Sequence, residues 1–92
     1  MTVAFDTDLT LIDSEGNPIQ KNVDMYFWFQ KHGYRMVVWS AAGKQHAQDI
    51  ANKLGLKPDM VLLKSENMGN QIYPDVAVDD KDLHIARNMV KV

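Results

Sequence analysis

The chain has 92 residues, is 46% hydrophobic and 24% charged, carries a formal net charge of −2 and contains no cysteine. That length predicts a single small domain, residues 1–92, whose stability a partner subunit would raise. Zero cysteine excludes a disulfide scaffold, a thiolate nucleophile and a cysteine-ligated zinc or iron–sulfur centre.

No apolar run approaches the roughly 20 residues of a membrane span. Asp6 and Asp8 fall where a secretory signal peptide needs basic, then apolar residues, so a soluble cytoplasmic protein is expected.

Short apolar runs alternate with helical patterns, the signature of a parallel α/β sheet. The first strand is expected at Val3–Phe5. From Thr10 to Gln20 the pattern changes: Leu11 and Ile12, the turn-forming stretch Asp13 to Pro18, and Ile19 read as a small hairpin. A helix follows from about Val23 to His32, closed by Gly33. Its Met25-Tyr26-Phe27-Trp28-Phe29 run is apolar all round, which suits a buried helix or one that meets a partner. Trp28 is the candidate exposed member.

The second strand is expected at Met36–Trp39. A second helix spans Lys44 to Leu54, with Ala47, Ile50, Ala51 and Leu54 on one face and Gly55 at its C′ position. Met60–Leu63 and Val76–Val78 supply the third and fourth strands. All four strand runs are nearly continuous in apolar character, as strands covered on both faces are. A last helix is expected from Asp82, its cap, with Leu83, Ala86 and Val90 on one face. His32 and His46 read as surface residues at helix ends, His84 as structural, and Lys44 as a solvated lysine near a helix start.

Ten of the twelve acidic residues are Asp. Asp has poor helix propensity and a short reach, so the excess points to caps, turns or a carboxylate site. The first strand ends in Asp6 with Asp8 two residues on, the second in Ser40, the third in Lys64 and the fourth in Asp79-Asp80. In an open parallel sheet the carboxyl ends of the strands line one edge, and ligands bind there where the strand order reverses. Polar residues follow strands in any case, but four matched ends exceed that tendency.

Two like charges at 4 Å repel by about 4 kcal/mol at an effective dielectric of 20. Carboxylates sharing one crevice therefore need a cation or bind protons. Asp oxygens without Cys or a positioned His suit a hard ion, Mg²⁺ first. Ser40 and Lys64 are suitable donors to phosphoryl oxygens bridged by such an ion. The expected ligand is a phosphate group.

These residues resemble the motifs of the haloacid dehalogenase (HAD) superfamily. Phe5-Asp6-Thr7-Asp8-Leu9-Thr10 is similar to its Asp-x-Asp-x-Thr signature, and Val37-Val38-Trp39-Ser40 to its second motif. Lys64 falls where the motif-three lysine belongs, with Lys57 as the alternative. Val76-Ala77-Val78-Asp79-Asp80 is similar to the fourth motif, and the hairpin corresponds to the flap the family inserts after its first strand. The resemblance covers nearly the whole chain. It implies a three-layer, Rossmann-like parallel sheet of about four strands, in the order 4-1-2-3, forming a minimal catalytic domain without a cap.

Three features depart from the family pattern. Leu9 stands where the family often has Gly. Only about fifteen residues separate Lys64 from Asp79, short for a crossover helix, so Ser65 to Asp75 is expected to be a loop with one helical turn. A single helix after the fourth strand replaces the fifth strand that many members carry.

The resemblance implies a Mg²⁺-dependent phosphatase. Asp6 would be the nucleophile that forms an aspartyl-phosphate, and Asp8 the general acid and then base. Asp6, the backbone carbonyl of Asp8, and Asp79 would hold Mg²⁺, with Asp80 as ligand or close support. Ser40 and Lys64 would hold the phosphoryl oxygens. A capless site is open, which suits large or varied substrates such as a phosphoprotein or a nucleic-acid end. A small molecule would fit if a homo-oligomer, formed through the aromatic helix and Trp28, supplied a lid. Val78-Asp79-Asp80-Lys81 is also similar to polynucleotide 3′-phosphatase domains, although no basic, aromatic-interleaved nucleic-acid stripe is present. The alternative is a non-catalytic phosphate- or metal-binding interaction module, and a phosphotransferase or phosphonatase is a third reading.

Overall fold

The computed structural model describes residues 1–64 and 72–92. Its elements are β1 (Thr2–Asp6), α1 (Gln20–Lys31), β2 (Arg35–Ser40), α2 (Lys44–Leu54), β3 (Met60–Leu63), β4 (Val76–Asp79) and β5 (Asn88–Lys91). All strand pairs are parallel, in the order β3-β2-β1-β4-β5. The α/β class and the parallel sheet agree with expectation, but the sheet has five strands rather than four, and β5 outside β4 makes the order 5-4-1-2-3 where 4-1-2-3 was expected.

The central strands form because their side chains find cover on both faces. Val3, Ala4 and Phe5 of β1 and Met36 to Trp39 of β2 are fully buried. The strand period of two divides them. Val3, Phe5, Met36, Val38 and Val78 pack with Val23 and Tyr26 of α1 and with Ala47 and Ala51 of α2. Ala4, Val37, Trp39 and Ala77 pack on the opposite face with Ile85 and Ala86. Both helices thus lie on one face. Among the described residues the other face is covered by the irregular segment 80–87, not by the helical third layer expected.

The last helix expected from Asp82 is the main correction. Leu83, Ala86 and Val90 have helical spacing, but the backbone from 88 onward follows the strand period: Val90 and Val92 pack on one face and Met89 on the other. Pairing satisfies the outer edge of β4, with Val78 opposite Val90 and the Val92 N–H donating to the Asp79 carbonyl at 2.9 Å. A helix there would leave that row of backbone groups without strand partners.

The helix α2 meets expectation in detail. Gly55 is left-handed (φ 67°), and the Leu56 and Gly55 N–H groups donate to the Ala51 and Asn52 carbonyls in a Schellman closure. Leu56 is fully buried beside it. The helix α1 starts at Gln20, earlier than expected, and is not apolar all round in its setting. Tyr26 is buried edge-on against Phe5 at 5.2 Å, whereas Phe27 and Trp28 are exposed, Trp28 stacking on His32.

The expected hairpin is present in reduced form, as an antiparallel bridge between Ile12 and Pro18 rather than two strands. Asp13 Oδ1 accepts from the N–H groups of Glu15 and Asn17, both at 2.9 Å, which closes the turn. Lys53 Nζ donates to the Gly16 carbonyl at 2.7 Å and ties its tip to α2. The expected helical turn within Ser65 to Asp75 falls mostly on 65–71, outside the described residues; 72–75 are not helical.

Candidate active site

From β1 the chain moves to β2 on one side, while β4 leads to β5 on the other. The strand order therefore reverses between β1 and β4, and the crevice at their carboxyl ends is where an open α/β sheet binds ligands. Asp6 ends β1 and Asp79 ends β4. Ser40 ends β2, and the Lys64 N–H donates to the Ser40 carbonyl at 2.9 Å, which holds Lys64 at the same sheet edge.

Lys64 Nζ sits between two acids, donating to Asp79 Oδ2 at 2.6 Å and to Asp6 Oδ1 at 3.3 Å. Asp79 is fully buried and Asp6 nearly so. Asp79 Oδ1 also accepts from the Lys81 N–H at 3.0 Å. Carboxylate oxygens of Asp6, Asp79 and Asp80 lie within 4.8 Å of one another. Burial raises the Asp6 pKa from 3.8 to about 6, reinforced by the charge of Asp79 and a hydrogen bond with Asp80, and opposed by Lys64. Burial alone would lower the Lys64 pKa, but its hydrogen bonds and charge interactions with Asp79 and Asp6 outweigh that and raise it.

Three carboxylates gather around the Lys64 ammonium, so the cluster carries excess negative charge; the charge of Asp79 adds to burial, the larger cause, in raising the Asp6 value. This donor set fits a divalent hard cation, which takes carboxylate oxygens and would cancel that excess.

The crevice has a volume of about 170 Å³ and is lined by Asp6, Asp8, Leu9, Ser40, Ala41, Lys64, Asp80 and Lys81. The Asp8 side chain is 54% exposed and stands apart from the acidic cluster; its Oδ1 meets His46 Nε2 at 3.0 Å. Ser40 Oγ accepts from the Ala42 N–H at 3.0 Å. Leu9 occupies the left-handed region at φ 63°, a conformation that costs a residue with a side chain roughly 1–2 kcal/mol. Lys57 lines a separate groove of about 740 Å³ beside β3, together with Lys44, whereas Lys64 lines the crevice and its ammonium meets Asp6 and Asp79. His84 is exposed.

Three residues with no role assigned from the sequence support the site, and of these only Thr10 belongs to a motif, the Asp-x-Asp-x-Thr stretch. Thr10 Oγ1 donates to Asp6 Oδ2 at 3.3 Å, and the buried Asn22 Nδ2 donates to the Thr10 carbonyl at 2.8 Å. An Asn placed just before an aromatic helical run was the available signal for the second. His46, read as a plain surface residue, holds Asp8 across a gap of 38 positions, for which no local signal exists.

No family model and no curated protein matches the chain. No described helix is long and apolar enough to cross a membrane.

Proposed function

We propose that the protein is a Mg²⁺-dependent phosphomonoester phosphatase that works through an aspartyl-phosphate on Asp6. The observation that carries this reading is the Asp6–Lys64–Asp79 arrangement, with Asp80 beside it and Ser40 on the same crevice wall, at the point where strand order reverses. The resemblance of the same residues to the HAD motifs supports it.

Asp6, Asp79 and Asp80 would hold Mg²⁺, with the Asp8 backbone carbonyl; bound there, the metal supplies charge neutralisation as a carboxylate approaches an anionic phosphoryl group. Lys64 donates to one phosphoryl oxygen. Ser40, whose oxygen already accepts from Ala42, turns its hydroxyl proton to another. A carboxylate oxygen of Asp6 attacks phosphorus, and the bond from phosphorus to the leaving oxygen breaks. That oxygen takes the proton of Asp8. Water then attacks the aspartyl-phosphate, giving its proton to Asp8, and the bond between phosphorus and Asp6 breaks to release inorganic phosphate. Thr10 keeps the Asp6 carboxylate aimed, and His46 orients Asp8.

The exposed position of Asp8, at the mouth rather than in the acidic cluster, suits proton exchange with a leaving group that lies outside the crevice. Replacing Asp8 with Ala is expected to lower kcat on an aryl phosphate about 100-fold or more, within the usual range for a general acid–base. Steady-state hydrolysis of p-nitrophenyl phosphate with Mg²⁺ measures this. Wild-type rates in Asp8→Ala would remove Asp8 from the chemistry, and no metal-dependent turnover of any phosphoester would favour a non-catalytic binding module.

A further inference from the structure

Leu9 has a left-handed backbone at φ 63° and yet carries a branched side chain that is 51% exposed. It belongs to neither buried cluster, so packing does not account for a leucine where glycine would fit without strain. What Leu9 does is line the crevice while remaining half exposed, as an exposed residue at its mouth does. Strain held in an exposed apolar residue at a site edge is a mark of function.

The volume of the crevice extends the argument. About 170 Å³ takes a phosphoryl group but lies well below the roughly 300–1,000 Å³ of pockets that enclose a drug-sized ligand. Whatever the phosphate is esterified to must therefore rest at the mouth. Among the exposed lining residues, Leu9 and Ala41 offer apolar surface and Lys81 a cation.

We propose that Leu9 is a substrate-contacting lip that selects phosphomonoesters whose leaving group presents an apolar ring next to the phosphate. This rests on the phosphatase reading. Asp8, next in the chain and at the same mouth, protonates the leaving oxygen while the ring lies on Leu9. Polar alcohols find no such partner, and their esters are the poorer substrates.

The test compares kcat/KM for 1-naphthyl phosphate and glycerol 3-phosphate, with Mg²⁺, in wild type, Leu9→Gly and Leu9→Asn. Gly and Asn both accept a positive φ, so the turn survives while the apolar lip is lost. The ratio of naphthyl to glycerol turnover is expected to fall about tenfold in both variants, the order expected for removing a small apolar contact. The thermal midpoint of Leu9→Gly is expected to equal or exceed that of wild type. An unchanged ratio in both variants overturns the inference while leaving the phosphatase reading intact, and a lower midpoint alongside it would make Leu9 a structural residue. If wild type hydrolyses neither ester with Mg²⁺, the phosphatase reading fails and the inference fails with it.

Discussion

Replacing Lys64 with Met is expected to destabilise the fold by about 3–5 kcal/mol at pH 7.5 without divalent cations, the usual loss when one partner of a buried ion pair is removed. The Lys64 side chain is only 11% exposed, and its ammonium contacts both Asp79, fully buried, and Asp6. Without it, three carboxylates that approach within 4.8 Å of one another lose the ammonium that bridges Asp6 and Asp79. Urea melts measure the difference directly. The loss should shrink at pH 5, where protons replace the missing ammonium on Asp6. A loss below about 1 kcal/mol at pH 7.5, the size of an exposed pair, would show that the ammonium is not what holds the acids together.

The second large effect has the opposite sign. Asp6→Asn is expected to make the metal-free protein more stable at neutral pH. The folded Asp6 pKa, about 6, lies above the ordinary 3.8. Between those values the folded state holds a proton that the unfolded state has lost, so stability falls as pH rises through that window. At about 1.4 kcal/mol per pH unit this contribution amounts to about 3 kcal/mol, present in full below about pH 4 and gone above about pH 6. Asn cannot ionise and keeps the shape. The variant should therefore melt on the order of 10 °C above wild type at pH 7.5, with the advantage vanishing near pH 4. Thermal melts of the two proteins from pH 3.5 to 8 record that difference. Parallel curves across the whole range would show that Asp6 ionises freely. Mg²⁺ should narrow the gap above pH 6 by stabilising wild type more than the variant, since only an ionised Asp6 offers a full ligand charge. A stabilising Asp6→Asn replacement would mark Asp6 as a residue kept at a cost in stability.

The strands were legible because β1, β2 and β4 are covered on both faces, which leaves uninterrupted apolar runs such as Met36 to Trp39. Their ends were legible for the same reason, since Asp6, Ser40 and Asp79 break those runs abruptly. The helix α2 carried both its periodicity and its closing glycine. The fifth strand was hidden because Leu83, Ala86 and Val90 satisfy a helical spacing over too short a stretch to test it. The contest was settled by the open edge of β4, a partner distant in sequence. Both helices lie on one face because the crossovers β1-α1-β2 and β2-α2-β3 step the same way across the sheet; that segment 80–87 folds over Trp39 and Ala77 on the other face is encoded by no local pattern.

Within the site, the residue types and their order were readable, but their orientations were not. Asp8 turning toward His46, and Asn22 reaching back to Thr10, are products of chain reversals in the loop after β1.

The central claim is that Asp6 is the nucleophile of a metal-dependent phosphatase. Phosphate release from p-nitrophenyl phosphate, with Mg²⁺ and with excess chelator, in wild type and Asp6→Asn tests it most directly. The account predicts turnover by wild type that requires Mg²⁺ and falls at least about 1,000-fold in Asp6→Asn, as loss of a covalent nucleophile does, while the variant remains folded. Equal Mg²⁺-dependent release from both proteins would contradict it.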